Sequence, residues 1–389
     1  MTPTPPMPSI PPGTATWSLI PLPDAAAFAP HARAWDALAA RVAGLPFLES
    51  AFLAPLLSVF GTGRERLALL GDPRSPHAAA IVAPAGSGQW TTFQPSQLPL
   101  GAWLSPSGEP LEPLAAGLLG ALPFPALALG LTQIDSLFHP RAADAPRWRG
   151  QDYIDTAWVD LLGSFDAYWE ARGKNLRQNL RKQQKKLDAA GTATRLECLT
   201  RPEDVAPALA HYGRLEASGW KGHEGTAIAP GHPQYEFYRT MLESFAREGR
   251  ARLYQYWFDD AVVAMDLCIE SAGKIVILKT AYDEAHKAVS PSTLMRQLQF
   301  QQLFDAAAAG GPIRRIEFYG KVMEWHTRWT ADARPVYHAT LYRWGWLPAL
   351  KRALSGSTAA QDAPAAPPAA PPDAATDAVP AAPRAESAS

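Results

Sequence analysis

The sequence predicts a mixed α/β (α+β) fold built as two tandem units of similar plan, each a mixed, mostly antiparallel sheet covered by helices. Three observations carry the prediction. The C-terminal half alternates helix, hairpin, helix and strand. The N-terminal half repeats that order more faintly. Low-complexity segments flank both, so the folded part is expected within residues 14–354 of 389, a length that suits two domains.

In the N-terminal unit (14–150), "FAPHARAWDALAARVAG" and "FLESAFLAPLLSVFG" read as helices, and "RLALL" with "AAAIVAP" as a strand pair. "WTTF", a helix near 110–121 and the strand "ALALGLTQI" follow. The polar stretch "HPRAADAPRWRGQD" (139–152) marks the boundary. The C-terminal unit (151–354) opens with the strand "YIDTAWVDL". A long helix is expected from Ser164, as N-cap, to about Ala190, stopped by Gly191. "TATRLECL" is a strand, Pro202 starts a helix to about Ser218, and 232–248 is a helix ended by Gly249. Three strands, "ARLYQYWF", "AVVAMDLCIE" and "KIVILKTAY", are joined by turns at Asp259-Asp260 and at "SAG" (271–273). "SPSTLMRQLQFQQLFDAAAAGG" is a helix ended by glycines, and "IRRIEFYG" and "PVYHATLYRW" are strands. Residues 1–13 and the Ala/Pro-rich tail 355–389 bury too little to order themselves and are expected to be disordered.

Composition excludes several functions. The formal net charge is −1 and the pI about 6.8, whereas a duplex nucleic-acid binder carries a basic excess over a whole domain. Cys198 and Cys268 sit in strand-like runs without CxxC or Cys/His clusters, which argues against a disulfide framework, a zinc site or any other metal. The N-terminus lacks a signal peptide's basic and apolar regions, and no stretch is apolar enough to span a bilayer, so a cytoplasmic protein is expected.

The chemistry-bearing residues gather in the C-terminal unit. Strand alternation puts Val263, Met265, Leu267 and Ile269 on one face of "AVVAMDLCIE" and Ala264, Asp266, Cys268 and Glu270 on the other. Asp266 is either a salt-bridged carboxylate or a cleft base. Lys279 is expected to share a face with Ile275, Ile277 and Ala281, where an ammonium needs an anionic partner or an opening to solvent. Tyr282 and Glu317 end strands, the place where open sheets build sites. Ser290 or Ser292 can cap the helix beginning "SPSTL", whose N–H groups and dipole favour an anion. "GWKGHEG" (219–225) offers Trp220 as an aromatic wall and Lys221 as a cation. From Arg172 to Lys186 run seven basic residues and no acidic one. On a helix, Leu176, Leu180 and Leu187 form the apolar stripe, with Lys174, Arg177, Arg181 and Lys185 beside it. That stripe is either a solvated face or a grip on phosphate or carboxylate, with Arg177 and Arg181 best suited to two-point binding.

Four blocks, "ARGKNLRQNLRKQQKKLDAAG", "LEASGWKGHEGTAI", "AYDEAHKAVSPSTLMRQLQFQQLFDAAAAGG" and "IEFYGKVMEWHTRWT", resemble the signatures of the CelD/BcsL-type, BioF2-like acetyltransferases. These belong to the GNAT superfamily, near the FemAB peptidyltransferases. The resemblance covers about 160–330 and implies two tandem GNAT-like units, with an acyl-donor site in the second. It implies acetyl-CoA or another acyl-CoA as donor, its pyrophosphate at Ser290, Ser292 and Thr293. It also implies direct transfer to an amine of a small molecule or of a cell-surface or glycan precursor. Asp266 or Glu317 would be the base, Tyr282 the acid for the thiolate, and Arg177, Arg181, Trp220, Lys221 and Lys279 the substrate-binding groups. The alternatives are an aminoacyl-tRNA-dependent FemAB-like transferase, the one reading in which tRNA is a partner, and a non-catalytic accessory protein of polysaccharide biosynthesis.

Overall fold

A computed structural model describes residues 16–218 and 228–355. The first repeat runs β1 (Trp17–Leu22), α1 (Ala32–Val42), α2 (Ser50–Phe60), β2 (Glu65–Leu70), β3 (Ala78–Gly86), β4 (Gln89–Thr92), β5 (Trp103–Leu104), α3 (Leu111–Ala121), β6 (Ala128–Asp135) and β7 (Trp148–Asp160). After α4 (Phe165–Glu170) and α5 (Lys174–Ala189) comes the second: β8 (Thr194–Leu199), α6 (Pro202–Ser218), α7 (Pro233–Arg247), β9 (Ala251–Phe258), β10 (Ala261–Ser271), β11 (Lys274–Tyr282), α8 (Pro291–Ala308), β12 (Arg315–Glu317), α9 (Glu324–Thr327) and β13 (Ala333–Tyr342). A last helix, α10, spans Leu347–Ser355.

The strands form one sheet in the order β1-β2-β3-β4-β6-β13-β7-β12-β11-β10-β9-β8, with β5 added beside β3. That order reads the same from both ends when β1 is matched with β8, β2 with β9, β3 with β10, β4 with β11, β6 with β12 and β7 with β13. The last strands of the repeats are exchanged. β13 pairs with β6 of the first repeat, and β7 pairs with β12 of the second. The pairs β4–β6 and β11–β12 are parallel, each bridged by a helix, α3 or α8, as a parallel connection requires.

Helices cover both faces. On one, α1 and α2 meet α6 and α7 over a shared core; Phe52 of α2 and Phe237 of α7 pack edge to face with centroids 5.1 Å apart. On the other, α4, α5 and α8 bury a core around Phe165, Phe300, Phe304 and Trp329, while α3 covers the first repeat.

Several expectations hold. The turns at Asp259 and Ala272-Gly273 adopt positive φ of 49°, 45° and 77°, α7 stops at Gly249, and Ser164 caps a helix by accepting from the Ala167 N–H at 3.2 Å. Others need correction. The helix expected from Ser164 to Ala190 is two, α4 and α5. Gly173 turns extended (ψ 136°) between them, and the Arg172 guanidinium and Tyr168 hydroxyl both donate to the Trp329 carbonyl. The alternation in β10 is broken by a bulge between Val262 and Ala264, so Val263 joins Ala264 on the α8 face. A second bulge, where Leu267 pairs Lys279 but Cys268 pairs Ile277, leaves Leu278 unopposed. It turns Lys279, with Ala281, to the α6–α7 face, away from Ile275 and Ile277.

Candidate active site

The two parallel pairs each open into a fork, and the two forks end differently. In the second repeat, β11 and β12 pair only from Lys274↔Arg315 to Val276↔Glu317. The chain after Glu317 then leaves β11 and follows β7: the Phe318 N–H donates to the Ala157 carbonyl at 3.2 Å and the Val322 N–H to Asp155 at 2.9 Å. Among the described residues, the β11–β12 pairing thus ends at Val276, and the two chains part there. In the first repeat the matching fork, beyond Thr91↔Gly130, is bridged at its start by Gly101, and a small cleft lined by Thr92, Gly101, Thr132 and Asp135 remains there. Gly101 donates its N–H to the Thr132 carbonyl at 3.0 Å. A Cβ at Gly101 would lie 2.5 Å from the Thr132 carbonyl and the Thr92 hydroxyl, so only glycine fits that approach.

The candidate carboxylates flank the second fork on opposite faces of the sheet. Asp266 faces α8, fully buried. Its Oδ1 accepts from the Thr280 hydroxyl at 2.5 Å, and Arg296 Nη2 donates to both oxygens at 3.2 Å. Arg296 is 2% exposed and lies over the Trp325 ring at 4.6 Å. Asp266 is thus the anion that makes a buried guanidinium tolerable.

Glu317 faces the other way, into a cluster that joins the repeats. Its Oε2 accepts from Arg334 Nη2 at 2.9 Å, and Arg334 also donates to Asp135, which accepts from the Tyr319 hydroxyl at 2.8 Å. The Glu317 Oε1 is buried without a hydrogen-bond partner among the described residues. Burial raises the Glu317 pKa above the ordinary carboxylate value, against the opposing pull of Arg334.

On the same α6–α7 face, Lys279 Nζ lies 3.4 Å from Glu216 Oε1 and 5.4 Å from the Tyr238 ring centroid. Glu216 Oε2 accepts from the Ile228 N–H at 3.0 Å. Burial, then the neighbouring Glu216, pushes the Tyr212 hydroxyl far up. Glu216 was not singled out from sequence. It ends an amphipathic helix, and its only signal is the "LEASGW" block that contains it.

Tyr282 closes β11 opposite Ala264, on the Asp266 face. At the head of α8, Ser290 occupies the N-cap in the left-handed region (φ 49°, ψ 59°). Its hydroxyl makes no cap bond; its carbonyl accepts from the Thr293 and Leu294 N–H groups at 3.0 and 3.1 Å. Ser292 is buried in the first turn and Thr293 half-buried. In α5, Leu176, Leu180 and Leu187 are buried as expected, and the helix packs on α8 and on the 3-10 turn Glu284–Val289 that leads into it. Arg181 is exposed; Arg177 is half-buried, its Nε without a hydrogen-bond partner among the described residues. Trp220 and Lys221 lie outside the described residues, and among those described no His, Cys, Asp and Glu cluster suits a metal.

Residues 174–327 match the family described as "Acetyltransferase (GNAT) domain". The match covers less than half of the chain, from α5 to α9. No curated protein matches the chain. Among solved structures, it is similar to the DUF2156 C-terminal domain of a protein assigned as a lysylphosphatidylglycerol synthetase from Agrobacterium fabrum (14% identity, 84% of this chain and 96% of that one, TM-score 0.52). Also similar are the L-PGS of Bacillus licheniformis (16%, 79% and 90%, 0.44) and a tandem GNAT protein from the clavulanic acid biosynthesis pathway (13%, 83% and 98%, 0.42). The matched segment contains the fork between β11 and β12 and both candidate carboxylates.

Proposed function

We propose that the protein is a GNAT-type N-acyltransferase of the CelD/BcsL-type, BioF2-like group, with one donor site per chain in the fork between β11 and β12. The observation that supports the reading is the contrast between the forks: in the second, β11 and β12 part after Val276↔Glu317, and in the first the Gly101 N–H bridges to the Thr132 carbonyl across the gap. An acyl-CoA, acetyl-CoA first among them, would lay its pyrophosphate at Ser290, Ser292 and Thr293. The head of a helix carries partial positive charge, and α5 brings Arg177 and Arg181 alongside. The acceptor amine, on a small molecule or glycan precursor, would enter from the α6–α7 face past Lys279 and Glu216.

In this reading the neutral amine attacks the thioester carbonyl carbon, and the C–N bond forms as the C–S bond breaks. The proton lost by nitrogen goes to Glu317, directly or through water, and the departing thiolate takes a proton from Tyr282. Glu317 suits the base better than Asp266, because burial has raised its pKa and its Oε1 accepts no hydrogen bond among the described residues, with Arg315 Nη1 3.8 Å away. Asp266 is held by Arg296 and Thr280. A second reading, an aminoacyl group delivered on tRNA, draws on the density of cations along α5.

The test is Glu317→Gln, which leaves Arg334 its bonds to Asp135. Turnover with acetyl-CoA and an amine acceptor should fall roughly 10²- to 10⁴-fold while the melting temperature stays near that of the parent. Near-normal turnover removes Glu317 from the reaction.

A further inference from the structure

Beyond β13 the chain leaves the sheet and presents aromatic rings to solvent. Trp344 and Trp346 are 42% and 57% exposed, and their rings stack at 5.6 Å and 4°. Phe124, 81% exposed, sits on the loop that holds this segment in place: the Arg343 N–H donates to the Leu127 carbonyl at 2.8 Å and its guanidinium to Ala126. Leu350 of α10 is exposed too. A single exposed apolar side chain needs no explanation, but here four large ones are carried by two segments bonded to each other. An apolar patch of this kind marks an interaction surface.

Its charge says what the surface faces. From Tyr342 to Gln361 the chain has no acidic residue, while Arg343, Lys351 and Arg352 fall within it. Around the patch, Arg147 donates to the Tyr342 carbonyl at 2.9 Å, Arg343 to Leu119 at 2.6 Å, and Arg149 to Ala145 and Trp148. Backbone carbonyls orient these guanidinium groups without neutralising them, and none is in an ion pair among the described residues. Asp144, on the loop before β7, accepts from the Gly150 N–H instead. The sequence of α10 spaces Leu347, Leu350 and Leu354 at i, i+3 and i+7 and carries Lys351 and Arg352 among them. Indole rings favour the headgroup level of a bilayer. A short helix with leucines on one stripe and cations beside it lies in that plane, held by apolar burial and by attraction to anionic lipid.

We infer that Phe124, Trp344, Trp346 and α10 form a face that docks the protein peripherally on an anionic membrane surface. The face shares no residue with the fork, so the inference stands or falls apart from the proposed chemistry. The experiment is flotation of the full chain with vesicles of phosphatidylcholine alone and of phosphatidylcholine with phosphatidylglycerol. The chain should float with the phosphatidylglycerol vesicles, less at high salt, and much less with phosphatidylcholine alone. Trp344→Ser with Trp346→Ser should lower the partition about 10-fold or more with an unchanged melting temperature, since both rings are exposed. Lys351→Gln with Arg352→Gln should weaken binding to the anionic vesicles alone. Failure to float, or equal flotation of parent and tryptophan variant, overturns the inference. So does a parent that elutes as a dimer and a tryptophan variant that elutes as a monomer, with neither binding vesicles, because the face would then join two copies of this chain.

Discussion

Replacing Asp266 with asparagine keeps the shape of the side chain and removes its charge. The Arg296 guanidinium would stay 2% exposed, beneath Trp325 and Phe318, without its one ion-pair partner among the described residues. Removing one partner of such a buried pair costs about 3–5 kcal/mol, because the remaining charge is uncompensated. The exposed pair Arg239–Glu236, with side chains 38% and 47% exposed, is the control. Glu236→Gln should change stability by less than about 0.5 kcal/mol. Urea unfolding followed by circular dichroism reads both. The apolar double variant Asp266→Leu, Arg296→Met should be more stable than Asp266→Asn, since it removes the stranded charge as well. A loss below about 1 kcal/mol for Asp266→Asn, accompanied by a collapse of turnover, would refute the structural role and return Asp266 to the reaction as its base.

Two further outcomes follow from the same geometry. Burial, reinforced by the nearby Arg296 charge, lowers the His326 pKa to about 3. The unfolded imidazole takes a proton near its ordinary value, while the folded one refuses it until much lower. The stability that His326 contributes is therefore present above about pH 6.5 and lost as pH falls toward 3, by about 3–5 kcal/mol across the window. His326→Gln should flatten the pH dependence of the urea midpoint between those values; an unchanged slope contradicts it. Replacing Arg177 and Arg181 together with glutamine should raise the Michaelis constant for acyl-CoA roughly 10-fold, as loss of charge-assisted contacts would, with the unfolding midpoint unmoved; unchanged kinetics would leave α5 a solvated face.

Much of the second repeat was legible because its signals are local. Glycines and aspartates at the hairpin tips need positive φ, and the leucines of α5 repeat at helical spacing. What sequence did not disclose depends on contacts far along the chain. Period-two alternation assigns Lys279 to the wrong face, since a bulge costs one residue of register and leaves no mark in composition. Arg334 and Asp135, 199 residues apart, meet because β7 and β13 trade places between the repeats. No periodicity announces such an exchange. Gly101 reads as an ordinary loop glycine until the Thr132 carbonyl is found where its Cβ would be. For the same reason Asp266 could be either a base or an ion-pair partner: its partner, Arg296, lies on the helix after the next strand, on a face that alternation alone cannot assign.

The most direct test of the account is the number of donor molecules that one chain binds. Titration calorimetry with acetyl-CoA on the full chain should give one equivalent. At 100 times the dissociation constant the ligand should add about 2.7 kcal/mol to stability, seen as a higher melting temperature. Two equivalents would mean that the fork bridged at Gly101 also binds. No heat and no thermal shift at millimolar acetyl-CoA would contradict the donor assignment itself.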